Sequence, residues 1–222
     1  MSDTSPWAQS TAYFEQLMVP ADPVLEAVQQ AADAAGLPRI SLDALQARML
    51  QLLAGVIGAR RILEVGTLAG FSGIHLARAL PADGKLVTLE IDDKHADVAQ
   101  ANFERAGLAD RIELRRGAAM DTLASMAAQG CEPFDMAFID ADKQNNVNYL
   151  SWATEHCRSG ALIVIDNVVR GGQVAAGSDD DPSVAGTRAA LNMAAEDPRL
   201  EATVLQTVGS KNWDGLCFIR KV

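Results

Sequence analysis

Met136-Ala137-Phe138-Ile139-Asp140-Ala141-Asp142-Lys143 is the stretch on which the fold turns. Its apolar residues run straight into acid, as in a buried strand that ends at a polar crevice. A second run does the same: Ala161-Leu162-Ile163-Val164-Ile165-Asp166-Asn167. If both are strands of one parallel sheet, their carboxyl ends open on the same side. Asp140, Asp166 and Asn167 then converge where open α/β sheets bind ligands. Three hard oxygen donors suit a small divalent cation, Mg²⁺ first and Mn²⁺ or Ca²⁺ as alternatives. The pattern points to an enzyme that handles an oxygen-rich substrate through a metal.

Outward from these strands the rhythm is strand, helix, strand. Strands are expected over 62–65, 85–91, 111–114, 134–140 and 161–166, with helices over 70–80, 93–106, 120–129 and 145–157. Ser159-Gly160 should end the last of these helices. Short apolar strands alternating with helices imply a parallel sheet covered on both faces. Upstream, Pro23 opens a helix that runs to Gly36, and Ser41 reads as the N-cap of the next. Residues 1–40 read as a helical arm carrying Trp7, Tyr13 and Phe14, and 41–222 as the core of a single domain. Downstream, Gly171-Gly172 through Asp179-Asp180-Asp181-Pro182 reads as a mobile surface loop. A helix over 183–195 follows. Two strands, 201–207 and 215–221, are joined closely enough for a hairpin, so the sheet should end in an antiparallel edge.

The first strand leads into Glu64-Val65-Gly66-Thr67-Leu68-Ala69-Gly70-Phe71-Ser72-Gly73. Glycines here let the backbone approach a nucleotide, and the next helix aims its N-terminus at the ligand. The spacing departs from G-x-G-x-x-G, and an acid before Gly66 would repel a pyrophosphate. Both speak for a neutral or cationic cofactor. Glu90, ending the second strand, stands where a ribose-binding acid belongs.

The bulk numbers exclude several classes. A net charge of −10 and a pI near 4.7 oppose a nucleic-acid surface. Cys131, Cys157 and Cys217 have no zinc-ligand spacing and read as reduced thiols of a cytoplasmic protein. The N-terminus has no basic and apolar leader pattern, and no apolar run has membrane-spanning length.

At these residues the chain resembles the cation-dependent, S-adenosylmethionine-using O-methyltransferases of the catechol and caffeoyl-CoA type. The resemblance runs from about Ser41 to Val222. It rests on 63–67 with 70–72, on Phe138 to Lys143, and on Ile165-Asp166-Asn167. It implies a Rossmann-like class I methyltransferase fold: a mostly parallel seven-stranded sheet with an antiparallel C-terminal strand and helices on both faces. Glu64, Gly66, Thr67 and Ser72 would line the cofactor pocket, with Asp140 at its edge. Glu90 would take the ribose hydroxyls, beside Ile91. Ala118 and Ala119 would lie by the adenine, where relatives often carry a polar side chain. Asp140, Asp166 and Asn167 would hold the metal, and Lys143, with Asp140, would serve catalysis. The acceptor would be a small aromatic with vicinal hydroxyls, and the aromatic arm suggests a homodimer. Two segments depart from the pattern: 170–181, and a loop expected over Lys211-Asn212-Trp213-Asp214-Gly215. Both are expected to touch substrate.

Duller explanations exist for each residue. Asp140 could cap the following helix, Asp166-Asn167 could form a turn, and Lys143 alone could be solvated. Asp142 reads as a turn or helix-start residue, not a ligand. His75, His95 and His156 lack partners and read as packing or surface residues. A nicotinamide-dependent oxidoreductase and a non-catalytic nucleotide-binding protein of the same fold remain the alternatives.

Overall fold

Alternation along the strands builds two cores, one on each face of a single sheet. In a computed structural model, which describes residues 6–177, 180–209 and 212–222, Ile62, Leu86, Met136, Phe138 and Val164 point to one face. Leu63, Val65, Val87, Ile139 and Ile165 point to the other. The strands are β1 (Arg61–Val65), β2 (Lys85–Glu90), β3 (Ile112–Arg116), β4 (Phe134–Ile139), β5 (Cys157–Asp166), β6 (Leu200–Gly209) and β7 (Asn212–Lys221). They form a seven-stranded sheet in the order β3-β2-β1-β4-β5-β7-β6. β1 to β5 are parallel, and β7 runs antiparallel to both β5 and β6.

The helices are α1 (Pro6–Met18), α2 (Pro23–Ala34), α3 (Ala44–Val56), α4 (Phe71–Ala79), α5 (Asp93–Arg105), α6 (Ala119–Ala128), α7 (Asn146–His156), α8 (Gln173–Ala176) and α9 (Pro182–Glu196). Leu25 and Val28 of α2, Leu50 of α3, Ile74 of α4 and Phe103 of α5 fill the first core. Leu123 of α6, Leu150 and Ala153 of α7 and Ala190 of α9 fill the second. α1 packs on α3 and β6. Among the described residues no helix is long and apolar enough to cross a membrane.

Four expectations are corrected. The cap of α3 is Asp43, whose Oδ1 accepts from Leu45 N at 3.3 Å, and Ser41 lies outside the helix. A carboxylate two residues downstream is as good a cap as the serine. Ser159-Gly160 does not end a helix: α7 stops at His156, and both residues lie in β5. Gly160, at φ +77°, falls where the β4–β5 register shifts. The described part of the supposed mobile loop is folded, with a 3₁₀ turn over Arg170–Gly172 followed by α8. Arg188 of α9 pins it, its Nε donating to Val174 O at 2.7 Å and its Nη2 to Gly177 O at 2.6 Å. Ser178 and Asp179 lie outside the described residues. Finally, Asn212 to Gly215 belong to β7 rather than to a loop, because Gly209 pairs with Asn212 and the hairpin is tight. Ser210 and Lys211 lie outside the described residues.

Candidate functional site

The carboxyl ends of β1, β2, β4 and β5 stop almost level. Register pairs Val65 with Leu89 and with Ile139, and Ile139 with Ile165, so Gly66, Glu90, Asp140 and Asp166 follow side by side. Above them opens a cleft of about 1450 Å³. Gly66, Thr67, Ser72, Glu90, Ile91, Ala118, Ala119, Asp140, Lys143, Asp166 and Asn167 all line it. Glu64 does not.

The Gly66 turn needs its glycines. Gly66 has φ +100°, and a Cβ there would overlap the carbonyl oxygen of Asp140. Gly70, at φ +84°, lies against the Phe103 ring, 2.5 Å from where a Cβ would stand. Glu90 binds this turn to itself. Its Oε2 accepts from Thr67 N at 3.2 Å and Leu68 N at 2.8 Å, and its Oε1 from Asp92 N at 3.0 Å. A carboxylate has about four acceptor positions, so Glu90 keeps one for a ligand. His95, read as a packing or surface residue, lines the cleft with Nδ1 3.6 Å from Glu90 Oε1. Ile91 is exposed at the mouth. Ala118 and Ala119 open α6 and offer no side-chain hydrogen bond.

Glu64 lies beneath the turn with no exposed surface. Ser72 Oγ donates to its Oε1 and Thr88 Oγ1 to its Oε2, both at 2.6 Å. Burial pushes its carboxyl up to about 7, against the pull of those two hydroxyls, and the charges of Asp140 and Glu90 add to the rise.

At the β4–β5 end the donors are differently placed. Lys143 Nζ donates to Asp140 Oδ1 at 2.6 Å, with only 10% of the lysine side chain exposed. Asp166 Oδ1 accepts from Asn167 N at 2.7 Å. Burial pushes the Asp166 carboxyl up to about 7, and the charge of Asp140 pushes it the same way. Asn167 adopts φ +58°, a left-handed turn, and its Nδ2 donates to Asp214 Oδ2 at 3.1 Å. Three cleft oxygens are thereby left without a partner among the described residues: Asp140 Oδ2, Asp166 Oδ2 and Asn167 Oδ1. Two crowded carboxylates and an amide oxygen, all open to the cleft, fit a hard divalent cation. No group of three or more His, Cys, Asp or Glu suited to a metal occurs among the described residues, and the third donor of this set is an amide oxygen.

Sequence reasoning passed over the supports of this end. Asp214 Oδ1 accepts from Val169 N at 3.1 Å, Arg170 N at 2.9 Å and Gly215 N at 2.9 Å, binding β7 to the chain after Asn167. Tyr149 Oη donates to Asp142 Oδ1, and burial together with that carboxylate holds the phenol well above its usual range. Asp142 precedes a 3₁₀ turn, but its carboxylate is spent on Tyr149 and Asn145 instead of capping. His75 is buried in α4, with Nδ1 2.9 Å from Gln51 Oε1, and His156 stacks on Trp152.

The family described as O-methyltransferase matches residues 16–222. A catechol O-methyltransferase of Mycobacterium tuberculosis is 53% identical over 207 residues, which cover 93% of this chain and 92% of that protein. An O-methyltransferase from Bacillus cereus, solved in complex with SAH, superposes with a TM-score of 0.96 at 47% identity and covers 97% of this chain and 98% of its own. TomG from Streptomyces achromogenes, an O-methyltransferase involved in tomaymycin synthesis and solved in complex with SAM, gives a TM-score of 0.95 at 40% identity over 100% of both chains.

Proposed function

The chain belongs to the O-methyltransferase family, and on that premise we propose that it moves the methyl group of S-adenosylmethionine to a hydroxyl of a catechol-like or hydroxycinnamoyl aromatic, with a divalent cation. Family membership sets aside the nicotinamide and non-catalytic alternatives. The observation that carries the cation is the trio of oxygens on Asp140, Asp166 and Asn167, unpartnered among the described residues, beside the Lys143–Asp140 pair.

The residues divide the work along the cleft. Gly66 and Thr67 bring bare backbone to the cofactor, Glu90 offers its remaining acceptor to the ribose, and Ile91, Ala118 and Ala119 give the base an apolar seat. The Ser72 proton is spent on Glu64, so its oxygen faces the cleft as an acceptor, which suits the ammonium of the methionine moiety. Asp140, Asp166 and Asn167 would hold Mg²⁺, Mn²⁺ or Ca²⁺. A bound cation would act as a Lewis acid on vicinal hydroxyls, whose pKa near that of Tyr, about 10, keeps them protonated and poorly nucleophilic in water. Lys143 Nζ, fixed on Asp140, would stabilise the phenolate or, once deprotonated beside the bound cation, take its proton. Holding acceptor and sulfonium in line would supply much of the remaining rate.

The setting we propose is the cytoplasm, on the ground that Cys131, Cys157 and Cys217 are free thiols. We also propose a homodimer. α1 leaves Trp7, Tyr13, Phe14 and Leu17 exposed, and edge strand β6 leaves Val204 and Leu205 exposed on opposite faces. Sedimentation should give twice the chain mass, and a monomer at micromolar concentration would refute the pairing.

The function is tested by titrating S-adenosylmethionine and NAD calorimetrically, then assaying methylation of a catechol with Mg²⁺ and with a chelator. We expect binding of the sulfonium and transfer that the chelator abolishes. Undiminished transfer in chelator would remove the cation from the mechanism.

A further inference from the structure

Among the described residues, four side chains able to carry positive charge line the cleft: Arg39, His95, Lys143 and Arg170. Three of them face carboxylates. Arg39 forks onto Asp33 with two bonds of 2.8 Å. His95 faces Glu90, and Lys143 holds Asp140. The fourth, Arg170, has no side-chain partner among the described residues, and its Nε is buried from water with nothing to accept its proton. The residue is half-buried, and the two Nη atoms, neither sealed nor bonded among the described residues, are the end of the guanidinium that a ligand in the cleft can reach.

Its place in the sheet says what kind. The glycine-rich turn follows β1, while Arg170 follows β5 and neighbours β7, on the far side of Asp140 and Asp166. It therefore belongs to the acceptor end of the cleft, away from the cofactor turn. The backbone there is clamped. Asp214 holds Val169 N and Arg170 N with one oxygen and Asn167 Nδ2 with the other. Arg170 adopts φ +51°, uncommon for any residue but glycine, and Gly171 and Gly172 continue at +62° and +86°. Gly172 lies against the Trp213 indole, 2.9 Å from where a Cβ would stand. The segment that carries the unpaired cation is thus tied to the same Asn167 that we assign to the metal, and is walled by an aromatic ring.

We infer that Arg170 receives a carboxylate carried by the aromatic acceptor, so that the preferred substrates are dihydroxyaromatic acids rather than neutral catechols or thioesters. The inference rests on the methyl-transfer reading of this cleft. A planar guanidinium matches a carboxylate with two parallel bonds, which fixes the ring as well as binding it. The surroundings make the match selective. The chain carries a net charge of −10, and Asp140, Asp142, Asp166 and Asp214 all line this end. Among the described residues, an anion finds one cation there that is not already committed.

The test compares kcat/KM for 3,4-dihydroxybenzoate, its ethyl ester and its coenzyme A thioester in wild type, Arg170→Met and Arg170→Lys. Melting temperatures confirm that each variant is folded. We expect the acid to be favoured over the ester by about tenfold or more, as for a charge-assisted contact. That ratio should fall towards one in Arg170→Met and return in part in Arg170→Lys. An unchanged ratio in Arg170→Met, or a preference for ester or thioester in wild type, would overturn the assignment. Calorimetric titration of the acid and the ester into the same proteins gives the ratio without turnover. Absence of transfer to any of the three would therefore count against the methyl-transfer reading and still leave the role of Arg170 decided by binding.

Discussion

Glu64 and Asp166 are two buried acids at the ends of the same sheet, both pushed up to about 7 by burial. They solve the problem of buried charge in opposite ways. Glu64 is closed off by neutral hydroxyls, with Ser72 and Thr88 covering one oxygen each and no surface left to the cleft. Asp166 uses one oxygen on Asn167 N and keeps the other free of partners among the described residues, beside a second carboxylate and a lysine. A raised pKa therefore does not mark a site for chemistry. An open oxygen beside like charge does, because such a cluster is completed by a cation from outside.

The comparison breaks first at Asp166. With Asp166→Ala we expect kcat for methyl transfer to drop on the order of 10³-fold or more, at unchanged secondary structure. Lys143→Met should cost on the order of 10²-fold to 10³-fold, the range of a positioned proton acceptor or phenolate partner. Rates measured at saturating S-adenosylmethionine and Mg²⁺ check both. A variant within tenfold of wild type would show that its side chain is not part of the chemistry.

Gly66 stands between the two ends of this comparison, since it turns the chain over Glu64 and lies against the backbone of Asp140, whose charge acts on Asp166. Gly66→Ala sets a methyl group on a backbone oxygen at φ +100°. We expect a loss of about 3 kcal/mol or more, combining overpacking with left-handed strain. For a chain of this size that lowers the melting temperature by roughly 10 °C. Calorimetry showing a shift below about 2 °C would mean that the β1–β4 junction yields more easily than its geometry implies.

The contrast also marks what could be read from the sequence. β1, β2, β4 and β5 were legible because each carries an apolar run stopped by acid or glycine, and the crevice followed from two such runs being parallel. Asp140, Asp166 and Asn167 reach one cleft for that reason. Illegible were the features set by distant partners. Glu64 sits beside Gly66 in sequence, yet Thr88 from β2 and Ser72 from α4 seal it below the cleft. The segment from Gly171 looked mobile because the clamp just before it, Asp214 on Arg170 N, lies on a strand more than 40 residues away. Arg170 had no visible role until the partners of the other cleft cations were known. Ser41 and Asp43 were equally good caps, and only the bond to Leu45 N chooses between them.

The smallest effect, and the one that sharpens the comparison most, concerns Glu64. Its folded pKa, about 7, lies above its ordinary 4.5, so the folded protein holds this proton more tightly than the unfolded chain. The stabilisation is full below pH 4.5 and is lost as pH rises through 7, an effect of about 3 kcal/mol by linkage. The surrounding hydroxyls can serve the neutral form. Thr88 Oγ1 lies 2.6 Å from Thr67 Oγ1, which reaches Leu89 O at 3.1 Å. The chain can therefore reverse, accepting a proton from residue 64 and passing its own on to the carbonyl. Glu64→Gln makes the neutral form permanent and donates into that same chain. We expect its stability to vary less than wild type between pH 5 and 8, and to exceed wild type by about 1 to 2 kcal/mol at pH 8. Urea unfolding at the two pH values measures both quantities. Parallel pH profiles for variant and wild type would show that Glu64 is ionised throughout, and the two acids would then differ only in access to the cleft.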